Sequence, residues 1–197
     1  MNTSPGDEQD SRDMARLAAG HGPALNDLME RHAEKLFHYL LRSLQNEEDA
    51  ADLAQETFVR VYQHRDKFDP AQNFSTWLYA IASNLVRDRY RWRARHPQVS
   101  LEAAHDSTGK DFREVMPEKG PDPSETAQAH ERAELVRRAV GGLPEDLRLP
   151  LILAEYEGRS HAEVGAILNC TAKAVEMRVY RARQQLRESL SPILAES

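Results

Sequence analysis

A chain of 197 residues with 40% apolar content can build modest cores and fits one large or two small domains. Its net charge of -6 excludes a protein that coats nucleic acid by bulk electrostatics, since such binding works by neutralising phosphates and releasing counterions. The single cysteine, Cys170, excludes an intramolecular disulfide or a cysteine-based zinc cluster, and no apolar run is long enough to signal export or span a bilayer, so the expected location is cytoplasmic.

Residues 1–22 carry Asp7, Glu8, Asp10 and Asp13 among small polar residues and are expected to form a mobile acidic tail. From residue 23 the pattern changes. Leu25, Leu28, Met29, His32, Leu36 and Leu40 recur at three- and four-residue steps, the spacing of one buried helical stripe. Ala50, Leu53, Ala54, Thr57 and Val61 mark a second helix. After a break at Asp69-Pro70, Phe74, Trp77, Leu78, Ile81 and Leu85 mark a third, with Trp92 in the same phase. Residues 23–95 therefore read as one compact α-domain.

Periodicity is lost over residues 96–129, where proline and glycine accumulate. Residues 98–126 hold seven acidic side chains against three basic ones, so this is a flexible acidic linker. A second helical domain is expected over residues 130–191, followed by a short tail at 192–197. Gly141-Gly142 interrupts it, and Pro150 is expected to bend or restart a helix. The fold class is all-α, two small helical domains in one chain.

Within the second domain, Ser160-His161-Ala162-Glu163 has capping-box spacing, Asn169 is placed for a left-handed helix end, and Thr171 can cap the next helix. Two helices joined by so tight a turn read as a helix-turn-helix. At about 100° per residue, Val175, Val179, Ala182, Leu186 and Leu190 share one side of the second helix, and Lys173, Met177, Arg181 and Gln184 the other. That outer side suits a major groove, with Arg178, Arg183 and Arg187 placed for phosphates. The bland alternative is a solvated, charge-rich helix, which cap, turn and phase together make the weaker reading.

Two more surfaces stand out. Beyond the third apolar stripe, Asn84, Arg87, Tyr90 and Arg91 project together, with Arg89 and Arg93 on the flank. Such a face can pair with phosphates and stack on exposed bases, or simply keep a helix end soluble. On the second helix, Glu48, Asp52, Gln55 and Glu56 surround Val59 opposite the apolar stripe. Taken alone, that acidic face reads as solvated.

The runs Asp49-Ala50-Ala51-Asp52-Leu53-Ala54-Gln55-Glu56-Thr57-Phe58 and Phe74-Ser75-Thr76-Trp77-Leu78-Tyr79-Ala80-Ile81-Ala82, then Asn84, then a helix-turn-helix ending Tyr180-Arg181-Ala182-Arg183, closely resemble bacterial sigma factors of the extracytoplasmic-function group. The resemblance covers residues 23–95 and 130–190. It implies an alternative sigma factor whose regions two and four bind core RNA polymerase and read the minus-ten and minus-thirty-five promoter elements. Asp49, Asp52, Gln55, Glu56 and Val59 would dock on the clamp helices of the β′ subunit. Lys67, Phe68, Asn73 and Phe74 match the loop that captures a flipped base, with Asn84, Arg87, Tyr90 and Arg91 meeting minus-ten DNA. Thr171, Lys173, Met177, Arg178, Tyr180, Arg181, Arg183 and Gln184 match the reader of the upstream element. The β flap and an anti-sigma factor are further implied partners, with the protein a monomer or half of a one-to-one complex. The acidic linker resembles segments that thread toward the polymerase active-site and RNA-exit channels.

Departures from the family pattern are local. Glu176 stands where a basic residue is frequent, Met177 where a small polar one is common, and Ala51 where many relatives have an acid. The tryptophan pair of primary sigma factors is missing, and Trp77 is expected in the core. An enzyme finds no footing: the eight histidines are scattered, no phosphate loop, nucleophile elbow or metal cluster appears, and no cofactor is implied. The rival reading is a dimeric helix-turn-helix regulator that binds an operator directly. A weaker one is an adaptor that never touches DNA.

Overall fold

The computed structural model describes residues 5–96 and 127–194, and every regular element among them is helical. They fall into two compact units. The acidic linker expected at 96–129 lies almost wholly outside the described residues.

The N-terminal unit holds α1 (Pro5–Ala18), α2 (Ala24–Leu44), α3 (Glu47–Gln63), a 3-10 turn (Arg65–Lys67) and α4 (Phe74–Arg95). Helix α3 starts where Asn46 accepts a hydrogen bond from the Asp49 amide at 2.8 Å, and Glu47, Glu48 and Asp49 place negative charge against the positive helix end. Asn73 caps α4 in the same way, accepting from the Ser75 and Thr76 amides. The stripe expected on α3 is wholly buried: Ala50, Leu53, Ala54, Thr57 and Val61. Helices α2 and α4 meet through Tyr39, whose hydroxyl lies 2.8 Å from Ser83 Oγ and whose ring meets Tyr79 edge-on.

The inner face of α4 is turned from the one expected. Phe74, Leu78, Tyr79, Ala82, Leu85 and Val86 are buried, whereas Trp77 and Ile81 are half-buried and Trp92 is exposed. The straight 3.6-residue phase from Leu78 through Ala82 and Val86 leads on to Arg89 and Arg93, and Trp92 falls outside it.

The N-terminal segment from Pro5 differs most from expectation. Residues 5–18 are not a mobile tail but a helix, with Met14 and Leu17 buried. Two of the acids that suggested disorder are themselves buried. Arg31 donates to Asp13 at 2.6 Å and to Asp10 at 2.9 Å, Arg16 and Gln9 donate to Asp13 at 2.9 and 3.1 Å, and His32 Nε2 sits 2.7 Å from Asp10. Burial alone would raise the Asp13 carboxyl, but the hydrogen bonds from Arg31, Gln9 and Arg16 outweigh it and hold it below the ordinary aspartate range.

The C-terminal unit holds α5 (Ala127–Gly141), α6 (Glu145–Glu155), α7 (His161–Leu168) and α8 (Ala172–Leu194). Helices α5, α6 and α7 all pack on α8. The core is aliphatic, with Leu149, Ile152, Leu153, Val164 and Val175 at 1% exposure or less. Pro150 does not restart α6, which runs through it. Proline removes one backbone donor, and the unbroken buried run Leu149 to Leu153 offsets that loss. Helix α8 continues past residue 191, where a tail was expected, to Leu194.

Asp13→Ala should lower the stability of the N-terminal unit by about 2 kcal/mol, the worth of charge-assisted hydrogen bonds around a buried carboxylate. Because its folded pKa is depressed, this contribution is complete above about pH 4 and fades as pH falls through the lower folded value. Urea unfolding at pH 7 and at pH 3 should therefore separate wild type from variant more widely at the first than at the second.

Candidate functional site

The acidic face of α3 is present with one change of membership. Asp52 and Gln55 are exposed, Val59 is 41% exposed, and Glu56 is half-buried and accepts from Arg60 at 2.8 Å. With Leu53 and Arg89 they line an open groove of about 440 Å³. Asp49, expected among them, does not belong to the face. It is 8% exposed and takes short contacts from Arg89 and Arg93 of α4, one on each carboxylate oxygen. The sequence spaces Asp49 and Asp52 one turn apart on α3, which hides that the first faces α4 and the second solvent.

The segment before α4 is a built loop. Residues 65–67 form the 3-10 turn, Arg65 lies over the Tyr62 ring at 4.6 Å, and Asp69 closes a tight turn by accepting from the Ala71 amide at 2.9 Å. Lys67 is exposed and Phe68 half-buried. The Phe68 ring packs against Trp77 at 5.2 Å and Phe74 at 6.1 Å. Phe74 is fully buried, so it is the floor beneath the loop and not a surface that DNA can touch.

This floor continues into residues that the sequence reading left out. The His32 ring meets Phe74 edge-on at 5.1 Å and hydrogen-bonds Asp10 of α1, while Asn73 donates to Asp7 of α1 at 2.5 Å. Helix α1 thus holds both the base and the rim of the loop. The missed signal was the apolar pair Met14 and Leu17, one turn apart among charges.

Along α4, Asn84 and Arg91 are exposed and Arg87 and Tyr90 half-buried, so the four expected side chains do share the outer side. Arg91 is paired with Asp88. Arg89 and Arg93 are turned inward to Asp49. Near the helix end, Trp92 stacks on His96 with ring centroids 4.8 Å apart, and an open groove of about 780 Å³ runs along Leu53, Leu85, Trp92 and Arg95.

The helix-turn-helix follows its expected grammar. Ser160 and Glu163 form the complete capping box, which helps hold the Glu163 carboxyl below its ordinary pKa, and Asn169 has a left-handed φ of 53°. Gly165 is required by the turn, since a Cβ there would come within 2.6 Å of the Cys170 carbonyl oxygen. Thr171 accepts from the Ala174 amide at 3.1 Å and opens α8. Val175, Val179 and Ala182 are buried, and Lys173, Met177, Tyr180, Arg181, Arg183 and Gln184 are exposed together. Arg178 is half-buried, with Nη1 3.6 Å from the Cys170 sulfur, and Arg183 reaches Glu155.

Comparison with known proteins separates the readings. Residues 28–96 match the family described as Sigma-70 region 2, and residues 133–186 match Sigma-70, region 4. The chain is 31% identical to the RNA polymerase sigma-H factor of Pseudomonas aeruginosa over 96% of its own length and 98% of that protein. It is 30% identical to the ECF RNA polymerase sigma-E factor of Escherichia coli K12, over 91% of this chain and 93% of the relative. The chain belongs to the extracytoplasmic-function sigma factors. Its function is that of an alternative sigma factor, which binds core RNA polymerase and directs transcription initiation at promoters. Among solved structures, CnrH in complex with the cytosolic domain of CnrY matches with a TM-score of 0.66 at 29% identity, over 93% of this chain and 98% of that one. The dimeric operator-binding regulator gains no support from these comparisons.

In this sigma factor Asp49 withholds two arginines from the outer face of α4. Asp49→Ala should let Arg89 and Arg93 reach phosphates, steepening the slope of log K against log salt for duplex DNA by up to about 1.8. Fluorescence anisotropy of the isolated protein across a salt series measures it. An unchanged slope would mean that packing alone turns these arginines inward.

Proposed function

We propose that the exposed carboxylate face of α3 is where this sigma factor docks on the β′ clamp helices, with Asp52, Gln55, Glu56 and Val59 as contacts. The observation that carries this reading is an acidic groove around one exposed aliphatic side chain, on a helix whose opposite stripe is fully buried. Such a surface gains from a basic coiled partner through both charge complementarity and burial of Val59.

Promoter contact falls to two other places. The loop of Lys67, Phe68 and Asn73 over the Phe74 floor is the proposed capture site for a melted minus-ten base, with Asn84, Arg87, Tyr90 and Arg91 beside it. Thr171, Lys173, Met177, Arg178, Tyr180, Arg181, Arg183 and Gln184 of the helix-turn-helix are proposed to meet the minus-thirty-five element, and the C-terminal unit to meet the β flap. The protein acts as a non-catalytic subunit in the bacterial cytoplasm, needs no cofactor, and is monomeric or in a one-to-one complex with an anti-sigma factor. The complex of CnrH with the cytosolic domain of CnrY supports a protein partner. No helix among the described residues is long and apolar enough to cross a membrane.

The docking face is tested by gel filtration with bacterial core RNA polymerase, wild type beside the Asp52→Lys/Glu56→Lys double variant. Wild type should co-elute and the variant should not, while both keep the same helical circular dichroism. Co-elution of both would move the docking face off α3.

A further inference from the structure

The outer face of α8 carries apolar area that phosphate binding does not need. Met177 is 42% exposed and Tyr180, three residues on, 57%. Their neighbours are polar and largely committed. Lys173 Nζ is held by both carboxylate oxygens of Glu176, at 2.9 and 3.0 Å, and the Gln184 amide donates to the Tyr180 hydroxyl at 3.1 Å, which fixes the ring. Arg178 and Arg183 lean on Cys170 and Glu155. The middle of the face therefore presents one guanidinium, Arg181, beside a flexible thioether and an aromatic edge.

Base edges in the major groove offer donors and acceptors at every pair but only one apolar group, the C5-methyl of thymine. Methionine suits that group, because three rotatable bonds and a polarisable sulfur let it close on a methyl without demanding one geometry. The exposed Arg181 and Arg187 on the same helix favour a polyanion over an apolar protein patch as the partner for this face.

We infer that Met177, flanked by Tyr180, contacts a thymine methyl in the upstream promoter element, so that this sigma factor specifies a T·A pair there by apolar contact and not by hydrogen bonding. The inference rests on α8 being the promoter-facing helix. Glu176 fits it: by holding Lys173 to the side it keeps a competing hydrogen-bond donor from the same base edge.

The test uses holoenzyme assembled with bacterial core RNA polymerase and a duplex pool randomised over both promoter elements. Wild type should enrich thymine at one upstream position, and replacing that thymine with deoxyuridine, which lacks only the methyl, should weaken binding about fourfold. Met177→Ala, a surface change, should bind the thymine and deoxyuridine duplexes equally while other selected positions keep their preference. If no deoxyuridine replacement weakens wild type, or if the loss persists in Met177→Ala, the inference is overturned. If wild type enriches a downstream element but no upstream sequence, α8 is not the promoter-facing helix and the inference falls with that reading.

Discussion

One carboxylate ties together the two working helices of the N-terminal unit. Asp49 sits in the first turn of α3, is almost fully buried, and takes Arg89 and Arg93 from successive turns of α4. A buried ion cluster of this sort adds little net stability, since desolvation offsets most of the attraction, but wrong pairings are costly and so the arrangement is specific. Its effect is to lock the rotation of α4 beyond Val86, where no apolar side chain of the helix is buried. Everything on the outer side of α4 depends on that lock, and so does the division of α3 into a buried acid and an exposed one.

The N-terminal helix works by the same device. Asp10 and Asp13 would be expensive to bury alone, and Arg31, Arg16, Gln9 and His32 make the burial tolerable. Through His32 and Phe74 this cluster lies beneath the loop at the start of α4, and through Asp7 and Asn73 it touches the loop's rim. In the role proposed for this loop, being held in place before a base arrives matters, because ordering it on binding would consume binding energy. Helix α1 supplies that order from the side facing away from solvent.

The legible parts of the fold were those in which one physical signal acts alone. The α3 stripe and the buried side of α8 follow from apolar periodicity, and Ser160, Glu163, Asn169 and Thr171 follow from capping chemistry, which is local. The parts that misled were those in which tertiary contacts override a local cue. Asp10 and Asp13 look like a solvated tail until Arg31, far along the chain, is brought beside them. Trp92 looks like core in the phase of Trp77, Ile81 and Leu85, yet the phase set by Leu78, Ala82 and Val86 sends it outward. Pro150 looks like a break, yet its position in a wholly buried stretch of α6 keeps the helix going. Asp52, Gln55, Met177 and Arg181 are exposed as expected, because exposure opposite an apolar stripe is a geometric consequence. Asp49 and Phe74 were misplaced because family position does not say which way a side chain turns.

The distribution of paired charge bears on why a net acidic protein can serve as a DNA-binding subunit. Arg16, Arg31, Arg89, Arg93 and Arg183 each have a carboxylate partner within the protein, and Lys173 has Glu176. Each such pair removes a cation from the pool that could release counterions from DNA, so affinity without sequence preference is kept low. In the middle of the outer face of α8, what remains outward is a small set of groups suited to discrimination, a guanidinium, an amide, a thioether and an aromatic ring. A subunit built this way gains most when another protein supplies the phosphate-neutralising surface. Weak binding alone and selective binding in company then follow from the same pairing of side chains.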